Sequence, residues 1–329
     1  MPAAAPSSVL PNYANPERLL VFNISILTYT NVNFPFAVKH CVKLRTQRGY
    51  RESNQSVVLS GADLVRELAH VEFLILFHIK GTSPPPAAMA SGARLVAVTE
   101  GVMQKITGLE SVSPTTLAAE VELPELVDFE NWRPGQLHRL LALERCQDPG
   151  NLGTLLRTAL ALGWDGVFLL PGCADHFNDK AMRASRGACF KLPIASGSLA
   201  DWKRVTEFHS LACIAADLDR THGSGSFGAA SGAAADGILN TSSSNGNGAS
   251  SLPGDFTSLG EDVRVSLVLG SEGQGLSESV LQECTAVSIP MIGDMESLNV
   301  AAAGAIFMWA LSGRAGSLAG ELSQAVKSP

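Results

Sequence analysis

Asn151 and Arg157 lie in the stretch Leu143–Thr158, L-E-R-C-Q-D-P-G-N-L-G-T-L-L-R-T, where a turn at Asp148–Asn151 feeds an apolar helix. A guanidinium within such a helix needs a partner, because an unpaired buried charge is costly. It is either half of a structural salt bridge or a rigid forked ligand for an anion or polar substrate. A second cluster is Leu267–Ser277, L-V-L-G-S-E-G-Q-G-L-S. Gly270, Gly273 and Gly275 follow an apolar strand, which suits close backbone approach to a ligand. The spacing is G-x-x-G-x-G with no Gly-Lys-Ser/Thr after it, so neither a dinucleotide fingerprint nor a phosphate loop is supported. Glu272 in that turn would repel a phosphate and suits a cation. The third cluster is Ser288–Ala305, S-I-P-M-I-G-D-M-E-S-L-N-V-A-A-A-G-A. A strand ends at Pro290, a loop holds Ser297 and Asn299, and a helix of small residues begins. Core packing and a subunit interface explain that helix equally well.

Each cluster falls at the carboxyl end of an expected strand, where open α/β sheets bind their ligands. Strands are expected at Leu137–Glu144, Gly166–Leu170, Leu211–Ala216, Val265–Gly270 and Ala286–Pro290. Helices are expected at Leu152–Gly163, Asp179–Ser185, Asp201–Phe208, Ser277–Glu283 and Leu298–Leu311. That alternation implies a parallel sheet covered on both faces. A smaller α/β unit precedes it over residues 35–125. It has strands at Ser56–Leu59, Val71–Ile79 and Leu95–Thr99 and helices at Ala62–Leu68 and Gly101–Thr107. Residues 126–136, with Pro134 and Gly135, read as a linker, residues 137–315 as the second domain, and 316–329 as a tail. Residues 221–255 interrupt the alternation. Of these 35 residues 22 are Gly, Ser or Ala, and none is Lys or Arg. They cannot bury enough apolar area to offset their ordering entropy, so a disordered surface insert is expected.

The chain has 329 residues, 46% of them hydrophobic, which is ample for a core and excludes wholesale disorder. No run of 18 apolar residues occurs, so no transmembrane helix is expected and the protein reads as soluble and intracellular. The net charge of −7 argues against a coat of positive charge, but a local basic patch can still dock phosphates. Lys39, Lys43, Arg45, Arg48 and Arg51 form such a stretch with no acid before Glu52. It is either a solvated helix face or a phosphate-tracking patch. The six cysteines lack C-x-x-C spacing and an accompanying His cluster, so they read as reduced, buried thiols with no metal site. Residues 1–34 form a leader, disordered or targeting. It is acid-poor like an organellar transit peptide but not Arg-rich, so chloroplast, mitochondrion and cytoplasm stay open.

Together, in order and spacing, the three clusters resemble the signature motifs of the SpoU (TrmH) family of RNA ribose 2′-O-methyltransferases, in the SPOUT class. The resemblance rests on Asn151/Arg157, on Gly270/Glu272/Gly273/Gly275, and on Ile289–Gly293 with Ser297–Val300. Lys180–Ala188, K-A-M-R-A-S-R-G-A, also looks like that family, and the likeness covers about residues 137–312. Val58–Leu68 resembles the substrate-binding domain of many members, with Ser60 where an acidic residue is common. The resemblance implies an α/β protein with a trefoil-knotted SPOUT-type parallel sheet, preceded by a smaller α/β (L30e-like) domain. It implies a homodimer that uses S-adenosylmethionine and no metal to methylate RNA, with rRNA favoured over tRNA because of the globular N-terminal domain.

By matching motif positions, Leu269, Gly270, Gly273, Ile289, Met291, Ser297 and Leu298 would hold the cofactor, and Glu272, Ser297 and Asn299 would complete the site. Arg157, with Asn151, would sit at the reacting ribose. Lys39, Lys43, Arg45, Arg48, Arg51 and Arg183 would contact RNA. A neutral leaving group makes the chemistry one of in-line positioning and removal of the hydroxyl proton. Arginine is a poor base, so either its environment makes it act as one or it orients a phosphate while another group takes the proton. A catalytically silent RNA-binding member of the fold and a methyltransferase with a non-RNA acceptor are the rival readings.

Overall fold

The computed structural model describes residues 34–83, 93–216, 264–271, 273–289, 291 and 297–312. Residues 1–33 of the leader, the 221–255 insert, the tail, Glu272, and Pro290, Ile292 and Gly293 of the third cluster lie outside the described residues, while Phe34 already belongs to the first helix.

The N-terminal unit runs α1 (Phe34–Thr46), α2 (Arg48–Asn54), β1 (Ser56–Ser60), α3 (Ala62–Glu67), β2 (Phe73–Ile79), β3 (Arg94–Val98), α4 (Glu100–Thr107) and β4 (Leu117–Glu122). Its sheet has the order β1-β4-β2-β3, with β4 antiparallel to both neighbours and β2 parallel to β3. The sequence reading lacked β4, although it is the strand that joins β1 to β2. Leu117–Val121 is nevertheless wholly buried, Glu120 included.

The second unit runs β5 (Arg139–Leu143), α5 (Pro149–Ala161), β6 (Gly166–Leu169), α6 (Asp179–Ser185), β7 (Ile194–Ser196), α7 (Leu199–His209), β8 (Ala212–Ala216), β9 (Val265–Leu269), α8 (Glu278–Leu281), β10 (Thr285–Val287) and α9 (Val300–Ala310). Its six strands are all parallel, in the order β10-β8-β9-β5-β6-β7. Side chains alternate faces along each strand. Leu141 and Leu143 join Leu152, Leu155, Leu156 and Phe307 on one side, while Leu140 and Ala142 join Trp202, Val205 and Phe129 on the other. Both faces are therefore covered, as an all-parallel sheet requires. The Trp202 indole N–H keeps its bond inside the core, donating to Ser266 Oγ at 3.0 Å.

Residues 126–136 are not slack. Phe129 is fully buried under Gly166, and the Val127 N–H donates to the Ile194 carbonyl at the β7 edge of the sheet. The two units also share one apolar core, in which Val57, Leu64 and Leu68 pack with Leu152, Met182 and Cys189. Across this seam Arg186 pairs with Glu67 at 2.7 Å. Arg51 is buried and pairs with Asp175, while its Nη1 donates to the Leu44 carbonyl at 2.7 Å. Among the described residues no helix is long and apolar enough to cross a membrane.

Candidate functional site

Three loops leave the carboxyl ends of β5, β9 and β10. From β5 the chain reaches β6 and β7 on one side and β8, β9 and β10 on the other, which is the switch arrangement where such sheets open a crevice. α5 begins there because Asp148 caps it, its Oδ1 accepting the Asn151 N–H at 2.8 Å, and Pro149 takes the first-turn position that needs no donor. Lys180 Nζ holds the other Asp148 oxygen at 2.7 Å, and these bonds keep that carboxyl below the usual carboxylate range, the Lys180 bond most of all.

α9 starts beside α5. Asn299 caps it by accepting the Ala301 and Ala302 N–H groups at 2.9 and 3.3 Å, and its Nδ2 donates to Asn151 Oδ1 at 3.2 Å. Gly304 lets the helix seat closely. A Cβ there would lie 2.5 Å from Leu155 Cδ2 and 2.7 Å from Leu269 Cδ1. Gly153 does the same between α5 and α6, where a Cβ would meet the Ala181 carbonyl oxygen at 2.4 Å.

The glycine loop doubles back on itself. The Gly275 N–H donates to the Ser271 carbonyl at 2.9 Å and the Gln274 N–H to Ser271 Oγ at 3.1 Å. A Cβ on Gly270 would fall 2.6–2.7 Å from the Gly275 carbonyl group and the Leu276 nitrogen, so only glycine fits. Gly275 has φ +65°, which also favours glycine. Gly273 faces open space.

Of the expected site residues, Asn151 and Asn299 touch, and Leu269 packs under Gly304. Ile289 is half-buried against the core. Met291, Ser297 and Leu298 are exposed, Met291 to 40% and Leu298 to 37%. Glu272 is not among the described residues. Arg157 corrects the premise attached to it: it is exposed, so no buried charge needs a structural counter-ion, and no described residue pairs with it. The buried face of α5 is Leu152, Leu155, Leu156 and Ala159, and Thr154, Arg157 and Ala161 lie off it.

The basic stretch is also divided. Lys39, Lys43 and Arg48 are exposed, with Lys43 Nζ 5.2 Å from the centre of the Tyr50 ring and Arg48 paired to Glu52 at 2.8 Å. Arg45 Nε donates to the Ile106 carbonyl at 3.1 Å. Arg51 is not an exposed cation of this stretch, because it is buried and its ion pair with Asp175 holds it at the seam between the units. Arg183 pairs with Asp179 at 2.9 Å and stays partly exposed.

Glu144 and Arg145 were missed by sequence reasoning. Both lie between β5 and the capped start of α5 and reach the glycine loop. The cysteines are free thiols, and burial pushes Cys173 and Cys213 up to about 11 and Cys189 to about 12, so none of these is a ready nucleophile at neutral pH. A cavity of about 210 Å³ lies elsewhere, lined by Pro124, Val127, His176, Phe190, Lys191 and Pro193.

Residues 138–309 match the model of a family described as the SpoU rRNA Methylase family. A relative from Bacillus subtilis, 23S rRNA (guanosine(2553)-2′-O)-methyltransferase RlmP, is 27% identical over 278 residues, covering 84% of this chain and 96% of its own length. An AdoMet-bound rRNA methyltransferase from Sinorhizobium meliloti superposes with a TM-score of 0.64 at 24% identity, over 87% of this chain and 96% of that one. A putative RNA methyltransferase of the TrmH family from Porphyromonas gingivalis gives 0.60 at 28% identity, over 83% and 96%.

Proposed function

The chain belongs to the SpoU rRNA methylase family, and from that premise we propose that it methylates a ribose 2′-hydroxyl of structured RNA with S-adenosylmethionine. The observation that carries this reading is the convergence of the three clusters. Asn299 bonds Asn151, and Gly304 of the same helix start seats against both Leu155 and Leu269.

The residues fit the cofactor. The folded-back loop at Gly270 presents backbone rather than side chains, and exposed Met291 and Leu298 offer apolar surface of the kind an adenosine base covers. S-adenosylmethionine supplies a methyl group on a sulfonium whose leaving group is neutral. The protein's part is then to fix the hydroxyl in line and to help remove its proton. Arg157 is read as an orienting cation rather than as the base, since its planar fork suits a phosphate. Its exposure leaves the fork available to a ribose-flanking phosphate, with Asn151 held in place by Asn299.

The RNA is read as rRNA, on the strength of the Bacillus subtilis relative's name and the near-complete overlap with it. A homodimer is part of the same reading. Ala302 and Ile306 lie four residues apart on α9 and are exposed, Ile306 to 43%, on a helix that otherwise packs into the core. Sedimentation of the wild type and of Ile306→Glu tests it, and a concentration-independent monomer for both removes it. The function itself is tested by mapping ribose methylation in RNA from cells with and without the protein. Loss of one 2′-O-methyl in rRNA is expected, whereas an unchanged ribose map with a lost base methylation would refute the reading.

A further inference from the structure

Glu144 and Arg145 clamp the glycine loop at the end where it enters α8. Ser277, which caps α8, donates its N–H to Glu144 Oε2 at 2.8 Å. The same oxygen lies 3.4 Å from Arg145 Nη2. The Arg145 fork continues onto the loop, with Nη1 3.3 Å from Gln274 Oε1 and Nη2 3.5 Å from the Gly275 carbonyl oxygen. At the other end of the loop the Glu144 N–H donates to the Leu269 carbonyl at 2.9 Å. One dipeptide thus fixes residues on both sides of the Gly270 turn.

The arrangement is costly. Arg145 has φ +53°, a left-handed backbone that side chains other than glycine adopt at a penalty. Its Nε is buried with no hydrogen-bond partner among the described residues. The loop after β6 closes over it. The Arg145 N–H donates to the Pro171 carbonyl at 3.2 Å, and a Cβ on Gly172 would fall 2.7 Å from Arg145 Cγ. Strain and an orphaned donor cluster where geometry serves function, and here both lie beside the loop read as the cofactor cradle.

We propose that Arg145, seconded by Glu144, is a positioning residue for methyl transfer that holds the 270–277 loop in its cofactor-accepting shape. This rests on the reading of that loop as the S-adenosylmethionine site. Its test is calorimetry with S-adenosylmethionine, steady-state kinetics and thermal melting on Arg145→Gly, Arg145→Lys and Gly270→Ala. Glycine accepts φ +53° freely, so Arg145→Gly removes the fork while relieving the backbone. Expected for that variant is a rise of about tenfold in both the dissociation constant and the KM for S-adenosylmethionine, with kcat reduced by no more than about threefold. The melting temperature should not fall, and Arg145→Lys, which restores a cation but not the fork, should recover part of the affinity.

Gly270→Ala separates the two layers of the argument. If it weakens cofactor binding while Arg145→Gly leaves the dissociation constant within about twofold, the positioning role is overturned and the loop reading stands. If neither variant changes binding, the loop is not the cofactor site and the proposal falls with that reading. A lowered melting temperature in Arg145→Gly with no rescue by lysine would make the contact a structural brace and overturn the proposal as well.

Discussion

Asn299 Nδ2 donates to Asn151 Oδ1 at 3.2 Å, joining the first turns of α9 and α5 across 148 residues of sequence. The same Asn299 side chain caps α9 through Oδ1. One amide therefore both starts a helix and holds the residue expected at the reacting ribose. Serine separates the two jobs, since it caps a helix about as well as asparagine but is too short to reach Asn151. Asn299→Ser should keep its melting temperature within a few degrees of wild type and lose methyl transfer by about tenfold or more. Asn299→Ala should lose about 1 kcal/mol of stability in addition. Equal turnover by the serine variant and wild type would show that the link between the two helices plays no part in the chemistry.

Arg157→Ala should leave the fold untouched, because the side chain is exposed and no described residue pairs with it. Surface changes of that kind stay within about 0.5 kcal/mol. Methyl transfer should fall by at least about 100-fold while S-adenosylmethionine affinity holds. Arg157→Lys should remain impaired, since an ammonium lacks the planar fork. A melting temperature lowered in parallel with activity would return Arg157 to the structural role that its exposure speaks against.

His176 gives the protein an acid weakness outside the site. Burial holds this imidazole down to about 4, with Arg48 and Arg51 pushing the same way and Asp175 opposing them. The native state keeps it neutral, while the unfolded chain protonates it near its ordinary value of about 6.5. Above that value the two states carry the same charge and nothing is lost. As pH falls from about 6.5 to about 4 the unfolded state gains the proton first, so stability declines by roughly 2–3 kcal/mol across that window. His176→Phe, set beside Phe177 and Phe190, should flatten this part of the curve in urea unfolding followed against pH. An unchanged slope between those limits would place the acid sensitivity on other groups.

The alternating pattern of the catalytic unit was legible because apolar runs such as Val265–Leu269 are local signals, whereas Asp148–Asn151 reads as a turn and α5 starts three residues before the expected Leu152. β7 was not, since three residues at Ile194–Ser196 carry too little pattern to separate strand from loop. The helical periodicity already separates Arg157 from the core: Leu152, Leu155, Leu156 and Ala159 define the buried face of α5, and position 157 lies off it. Arg51 could not be placed from local sequence, because its counter-ion is 124 residues away on the other unit. Arg145 was hidden for a different reason, as a left-handed backbone at a non-glycine residue leaves no compositional trace.

The burial of Arg51 changes what the basic stretch can do with RNA. Of its five cations only Lys39, Lys43 and Arg48 are exposed, and Arg45 is engaged with the Ile106 carbonyl. A phosphate-tracking role therefore falls on those three. Each lost contact should reduce the log–log salt slope of RNA binding by about 0.7–0.9, so Lys39→Gln, Lys43→Gln and Arg48→Gln together should reduce it by about 2–3. Affinity for S-adenosylmethionine should be unchanged, because these residues lie on the other unit. Arg51→Gln should behave in the opposite way. It strands Asp175 at the seam between the units, and breaking a buried pair costs about 3–5 kcal/mol. The variant should melt early while the salt slope of its folded fraction matches wild type. Fluorescence anisotropy over a salt series, paired with thermal melts, reads both quantities. An unchanged slope in the triple variant would make α1 and α2 a solvated face, and RNA would then have to be held by the catalytic unit.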